Sequence, residues 1–163
     1  MSMTATRRDT STRQHIGELV RDRPSARTGF DVVISRTGRG GDGLSPQDRS
    51  WPGQMRRVGR EHLRMWGLDA LGDSIELLLS ELVTNGFRHG RGGPVGVRLW
   101  RTEVCVCVEV VSGGGAQVPC VREAGVSEES GRGLWLVDAV ADAWGVTADG
   151  SCTWCLLAVP RTV

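Results

Sequence analysis

Apolar side chains recur at helical spacing along one stretch of the chain. Ile75, Leu78, Leu79, Leu82 and Val83 fall three and four residues apart, which predicts an amphipathic helix. It runs out at Gly90, where Arg91-Gly92-Gly93-Pro94 is a stop signal. A second helix is predicted from about Gln54 to Trp66. Val58, Leu63, Met65 and Trp66 give it a partly apolar face, and Arg56, Arg57, Arg60 and Arg64 a solvated one. Ser45-Pro46 could open it earlier, but Pro52-Gly53 interrupts it. The spacing of Leu134 to Ala141 predicts a third helix, stopped by Gly145. Alternating or β-branched runs predict strands at Phe30–Ser35, Pro94–Trp100, Val104–Val111, Val146–Asp149 and Cys152–Val159, with turns at Arg101-Thr102-Glu103 and Gly150. Val104–Val111 is apolar at nearly every position, as a central strand would be. Residues 1–28 are polar and lack sustained periodicity, which predicts a disordered tail with a short helical turn around His15–Arg21. Ser112 to Ser130, with Gly113, Gly114 and Gly115, reads as a long, mobile loop. The order is strand, two helices, two strands, loop, helix, two strands. It implies an α/β two-layer sandwich over residues 29–163, a mostly antiparallel mixed sheet with helices on one face.

Composition narrows the chemistry. At 163 residues the chain has room for one domain with a real core. A formal net charge of +1 gives no general pull toward nucleic acid or acidic lipid. All 20 basic residues are arginine, which excludes a Walker-type lysine, a Schiff-base lysine or any catalytic ammonium. An odd count of 5 cysteines and no apolar leader predict a reduced, cytoplasmic protein, and no apolar run is long enough to span a membrane. Cys152-Thr-Trp-Cys155 has zinc-like spacing, but its flanks read as strand and a second ligand pair is missing. These cysteines read as small apolar strand residues.

The candidate chemistry lies at the end of the long helix. Glu81, Asn85 and His89 are four residues apart and share one helix face. Burying three polar tips costs roughly 1–3 kcal/mol each unless each finds a partner. An amide oxygen at Asn85 suits Mg²⁺, a hard cation that keeps waters and substrate phosphates. A carboxylate one turn away could take a proton from a hydroxyl or water attacking phosphorus. The other reading is a helix with polar residues on its wet side. Gly131-Arg132-Gly133 enters the third helix, where free backbone N–H groups favour an anion such as phosphate. A plain loop-to-helix entry would look the same.

Together these passages resemble the GHKL (histidine-kinase-like) ATP-binding family, most closely its branch of small anti-sigma-factor serine kinases. Glu81-Leu-Val-Thr-Asn85-Gly-Phe-Arg-His89-Gly90 resembles the family's N box, ELVTNAxxHG. Gly131-Arg132-Gly133-Leu134-Trp-Leu-Val137 resembles the second glycine box, and Ala141-Asp-Ala-Trp-Gly145 the ADxWG that follows it. The resemblance implies Mg²⁺ on Asn85 and Glu81 as base. It also implies ATP contacts from Asn85, Arg88, His89, Ser112, Gly113, Gly131, Arg132, Gly133, Leu134 and Thr153. Two positions depart from the pattern. Ser112 stands where the family has an Asp that reads the adenine amino group, and Gly150-Ser151-Cys152-Thr153 lacks the usual lysine. The implied function is transfer of the ATP γ-phosphate to a serine of an anti-anti-sigma (STAS-type) partner and/or sequestration of a sigma factor, with a possible homodimer. The alternative is a protein-binding module with weak or no nucleotide binding.

Overall fold

The computed structural model describes residues 4–5, 29–38, 43–90, 92–113 and 132–160. Among the described residues, six strands form one sheet: β1 (Thr4–Ala5), β2 (Gly29–Ile34), β3 (Val95–Arg101), β4 (Cys105–Ser112), β5 (Ala143–Val146) and β6 (Cys152–Ala158). Their order is β1-β5-β6-β4-β3-β2, and every pairing is antiparallel. The described helices are α1 (Pro46–Met65), a 3₁₀ turn (Asp69–Leu71), α2 (Gly72–His89) and α3 (Arg132–Val140). This is the expected two-layer sandwich. Strand side chains alternate between faces, so Val106, Val108 and Val110 join the core under the helices. Cys105 and Cys107 lie on the other face with Trp100, Ala143, Trp154 and Leu156. Strand β4 is buried from Cys105 to Val110, as its apolar run requires of a central strand.

Helix α1 is longer than its periodicity suggests. It begins at Pro46, and Pro52 lies inside it rather than ending it. The first turn is held from outside the periodic pattern. Ser45 caps the helix by accepting the Asp48 N–H, and the Asp48 carboxylate accepts in return from the Ser45 N–H. That carboxylate also accepts from the Thr37 N–H and hydroxyl and from the Gly38 N–H, each at 3.0 Å. Asp48 is fully buried. Burial pushes its carboxyl up, yet these hydrogen bonds hold it well below the usual carboxylate range.

The face of α1 that meets α2 is also different from the expected one. Met55, Gly59 and Leu63 are buried, while Val58 and Met65 face solvent. A Cβ at Gly59 would lie 2.3 Å from Leu79 Cδ1, so the missing side chain is what lets α2 come close. The arginine face is only partly solvated. Arg60 bridges to Asp73 at 2.8 Å and Glu76 at 2.9 Å, and Arg56 donates to Ser80 Oγ.

Gly145 does not stop a helix. Helix α3 ends at Val140, and Gly145 sits within β5 opposite Trp154. The Trp154 ring passes 2.8 Å from where a Gly145 Cβ would be, so only glycine leaves room for it. The strand expected at Val146–Asp149 ends at Val146, and Thr147–Gly150 is a turn closed by Gly150 N–H to Thr147 O. The tail expected over residues 1–28 lies outside the described residues, apart from Thr4 and Ala5 at the sheet edge. The loop from Gly114 to Ser130 also lies outside them.

Candidate functional site

Helix α2 is the platform of the site. Ile75, Leu78, Leu79, Leu82, Val83, Gly86 and Phe87 are buried against the sheet and its neighbours. The opposite arc leaves Glu81 and Asn85 half-buried, with Arg88 and His89 exposed. Two glycines bring the end of the helix down onto the sheet. A Cβ at Gly86 would lie 2.8 Å from Val110 Cγ1 and 3.2 Å from Val95 Cγ1. One at Gly90 would lie 3.0 Å from Ser112 Cβ. Ser112, at the end of β4, is therefore directly beneath the end of the helix. Thr153 is buried beside it in the sheet, paired with Val110 and so on the same face.

The start of α3 closes on the other side. A Cβ at Gly133 would lie 2.6 Å from Glu81 Oε2, so the carboxylate rests against the first turn of α3. The base candidate of one motif thus meets the glycine of the other, and only tertiary packing can produce that contact. A family model for the Histidine kinase-like ATPase domain matches residues 44–157. The chain belongs to that family. None of the curated proteins matches it. As a histidine kinase-like ATPase domain it carries the ATP-binding regulatory fold expected from its motifs.

The electrostatics at Glu81 suit proton acceptance from a weak acid. Burial raises its carboxyl above the ordinary value, and the charge of Arg88 pulls it partly back. Neither Glu81 nor Asn85 makes a side-chain hydrogen bond or ion pair with the described residues. A half-buried amide oxygen without a partner among the described residues, one turn from a carboxylate, is a donor set that fits Mg²⁺ with its own waters. Asn85 would hold the ion, which would screen phosphate charge.

The other expected site residues are placed as follows. Arg132 opens α3, and Gly133 follows it at the helix N-terminus. Leu134 is a buried core side chain. Gly113 follows β4 into open space. His89 is exposed at the last turn of α2. Gly131 lies outside the described residues. Glu109 is on the far face of the sheet, 3.3 Å from Arg98, so it cannot substitute for an acid at Ser112. Cys152 and Cys155 pair with Val111 and Val108, three residues apart in β4, and therefore point to opposite faces; the pair cannot chelate one metal.

The passage after the second glycine box has a structural role. Asp138 accepts from Trp144 Nε1 at 3.0 Å, and Asp142 accepts from the Ala158 N–H at 2.7 Å. These bonds fix the exit of α3 to β5 and β6, and so the position of Gly133. Periodicity missed one supporting group, Asp48. Its signal was legible as Ser45-Pro-Gln-Asp48, a capping box opening a helix. Among the described residues no helix is long and apolar enough to cross a membrane.

Proposed function

We propose that this chain is an ATP-dependent protein serine kinase that phosphorylates an anti-anti-sigma partner and alternately sequesters a sigma factor. The observation that carries this reading is the Glu81 carboxylate resting against Gly133, with Asn85 one turn away. The α3 N-terminus offers backbone N–H groups to phosphate. In this reading Glu81 accepts the proton of the partner's serine hydroxyl. The new bond joins that oxygen to the γ-phosphorus, the bond from the γ-phosphorus to the bridging oxygen breaks, and ADP leaves. Most of the rate in such transfers comes from positioning and charge screening, so a carboxylate that burial makes a better proton acceptor than usual suffices as the base.

Ser112 supports a second reading, a family scaffold that binds a protein partner with weak nucleotide affinity. A hydroxyl is a weaker acceptor for an adenine amino group than a carboxylate. Calorimetric titration with Mg·ATP separates the two. The kinase reading expects saturable, Mg-dependent binding and transfer of labelled γ-phosphate to an anti-anti-sigma protein. No binding at millimolar Mg·ATP would replace it with the second reading.

A further inference from the structure

A recess lies beside another face of α2. It has a volume of about 490 Å³ and opens between the first two turns of α1 and the last two turns of α2. Leu44, Pro52 and Phe87 give it an apolar lining, Thr84 adds one hydroxyl, and Arg49 and Arg88 stand on its two helices. Both arginines are exposed. At 3.6 residues per turn, Thr84 and Phe87 lie roughly 80–140° round the helix axis from the midpoint of Glu81 and Asn85. The recess is therefore separate from the face that carries those two residues, and Arg88 lies between the two.

The charges around the recess are unbalanced. Further along α1, Arg56, Arg60 and Arg64 are engaged by Ser80, by Asp73 and Glu76, and by Glu61. Arg49 and Arg88 make no ion pair or hydrogen bond with the described residues. Asp48 also lines the recess. Its oxygens, however, are buried and already accept from Thr37, Gly38 and Ser45. Among the described residues, the recess presents an apolar floor with two guanidinium groups at its sides.

We infer that this recess docks an acidic segment of a protein partner, with a large apolar side chain on Leu44, Pro52 and Phe87 and a neighbouring carboxylate between Arg49 and Arg88. The recess has room for the side chains of a docked segment rather than for a folded surface. A guanidinium on each helix suits a carboxylate by charge-assisted, bidentate hydrogen bonding. The apolar floor disfavours nucleic acid, which would meet it with phosphate.

The test uses the full chain. Random heptapeptides displayed on phage are selected against it, and the enriched peptides are synthesised and titrated into ¹⁵N-labelled protein. Expected are sequences with Asp or Glu beside Leu, Ile or Phe, which shift the amides of Leu44, Arg49, Thr84 and Arg88. Arg49→Gln, an exposed change that spares the core, should weaken binding about tenfold, and reversing the peptide's acids to lysine should abolish it. Thr84→Trp, which fills the recess, should also abolish it. Enrichment of basic or purely polar peptides, shifts mapping elsewhere, no enrichment, or equal binding by Arg49→Gln would each overturn the inference. So would inorganic phosphate shifting the same amides without the peptide competing, which would make the recess a simple anion site.

Discussion

Replacing Ser112 by Asp tests whether the end of β4 reads the nucleotide base. Ser112 is half-buried at the end of β4, its N–H donates to Ser151 O at 2.8 Å, and its Oγ lies 3.6 Å from the position a Gly90 Cβ would take. The backbone is thus fixed by the sheet, and only the acceptor chemistry changes. A hydrogen bond to a charged group is worth about 1.5–3 kcal/mol and a neutral one about 0.5–1.5 kcal/mol. The difference is about 1 kcal/mol or somewhat more, or roughly five- to tenfold in Kd. Glu109 does not blur the comparison, because it faces away and is paired with Arg98. Calorimetry with Mg·ATP and Mg·GTP at one ionic strength should show Ser112→Asp binding ATP about five- to tenfold more tightly than wild type. The ratio of ATP to GTP affinity should rise as well, since a hydroxyl can donate to the guanine carbonyl and a carboxylate cannot. If wild type already binds ATP at least as tightly as the variant, with full discrimination against GTP, Ser112 does not read the base.

Glu81→Ala should abolish phosphate transfer to an anti-anti-sigma protein while leaving Mg·ATP affinity within about threefold, and Asn85→Ala should weaken both, as removal of a metal ligand would. Transfer at the wild-type rate by Glu81→Ala would remove it from the role of base. Asp48→Ala should destabilise the fold by about 2–4 kcal/mol in urea unfolding, because it leaves the Thr37, Gly38 and Ser45 N–H groups without their acceptor. The folded-state pKa of Asp48 is depressed, so its contribution is complete above its ordinary value of 3.8 and is lost as pH falls below it toward the folded value. Wild type should therefore lose stability on acidification below that value more steeply than Asp48→Ala, and parallel curves would count against the network. Gly59→Ala gains about 1 kcal/mol of helix propensity. It also sets a Cβ 2.3 Å from Leu79 Cδ1 and 3.1 Å from Ile75 Cγ2 in a fully buried interface, an overpacking cost of about 1–3 kcal/mol. A net loss of roughly 1 kcal/mol in thermal or urea unfolding is expected, and a stabilised variant would show that α1 and α2 can move apart freely.

The local pattern was enough to place α2, the β3–β4 hairpin and the centrality of β4, because burial on one face or on both imposes periods of 3.6 and 2 that depend only on neighbours in sequence. The stacking of Glu81 over Asn85 followed from the same arithmetic. Where the pattern failed, a distant contact had overridden a local signal. Pro52 and Gly145 read as breaks, yet α1 is held through Pro52 by a capping box and a buried carboxylate that ties in Thr37 and Gly38, and Gly145 makes room for the Trp154 ring across a strand pair. Val58 and Met65 looked like core positions, but the close approach at Gly59 turned a different face of α1 toward α2. The site itself belongs to both levels. Its residue types could be read in order along the chain. That Glu81 rests on Gly133, that Ser112 lies under Gly90, and that Arg49 and Arg88 share a recess were decided by packing alone, because those pairs are neighbours only after the helices have settled on the sheet.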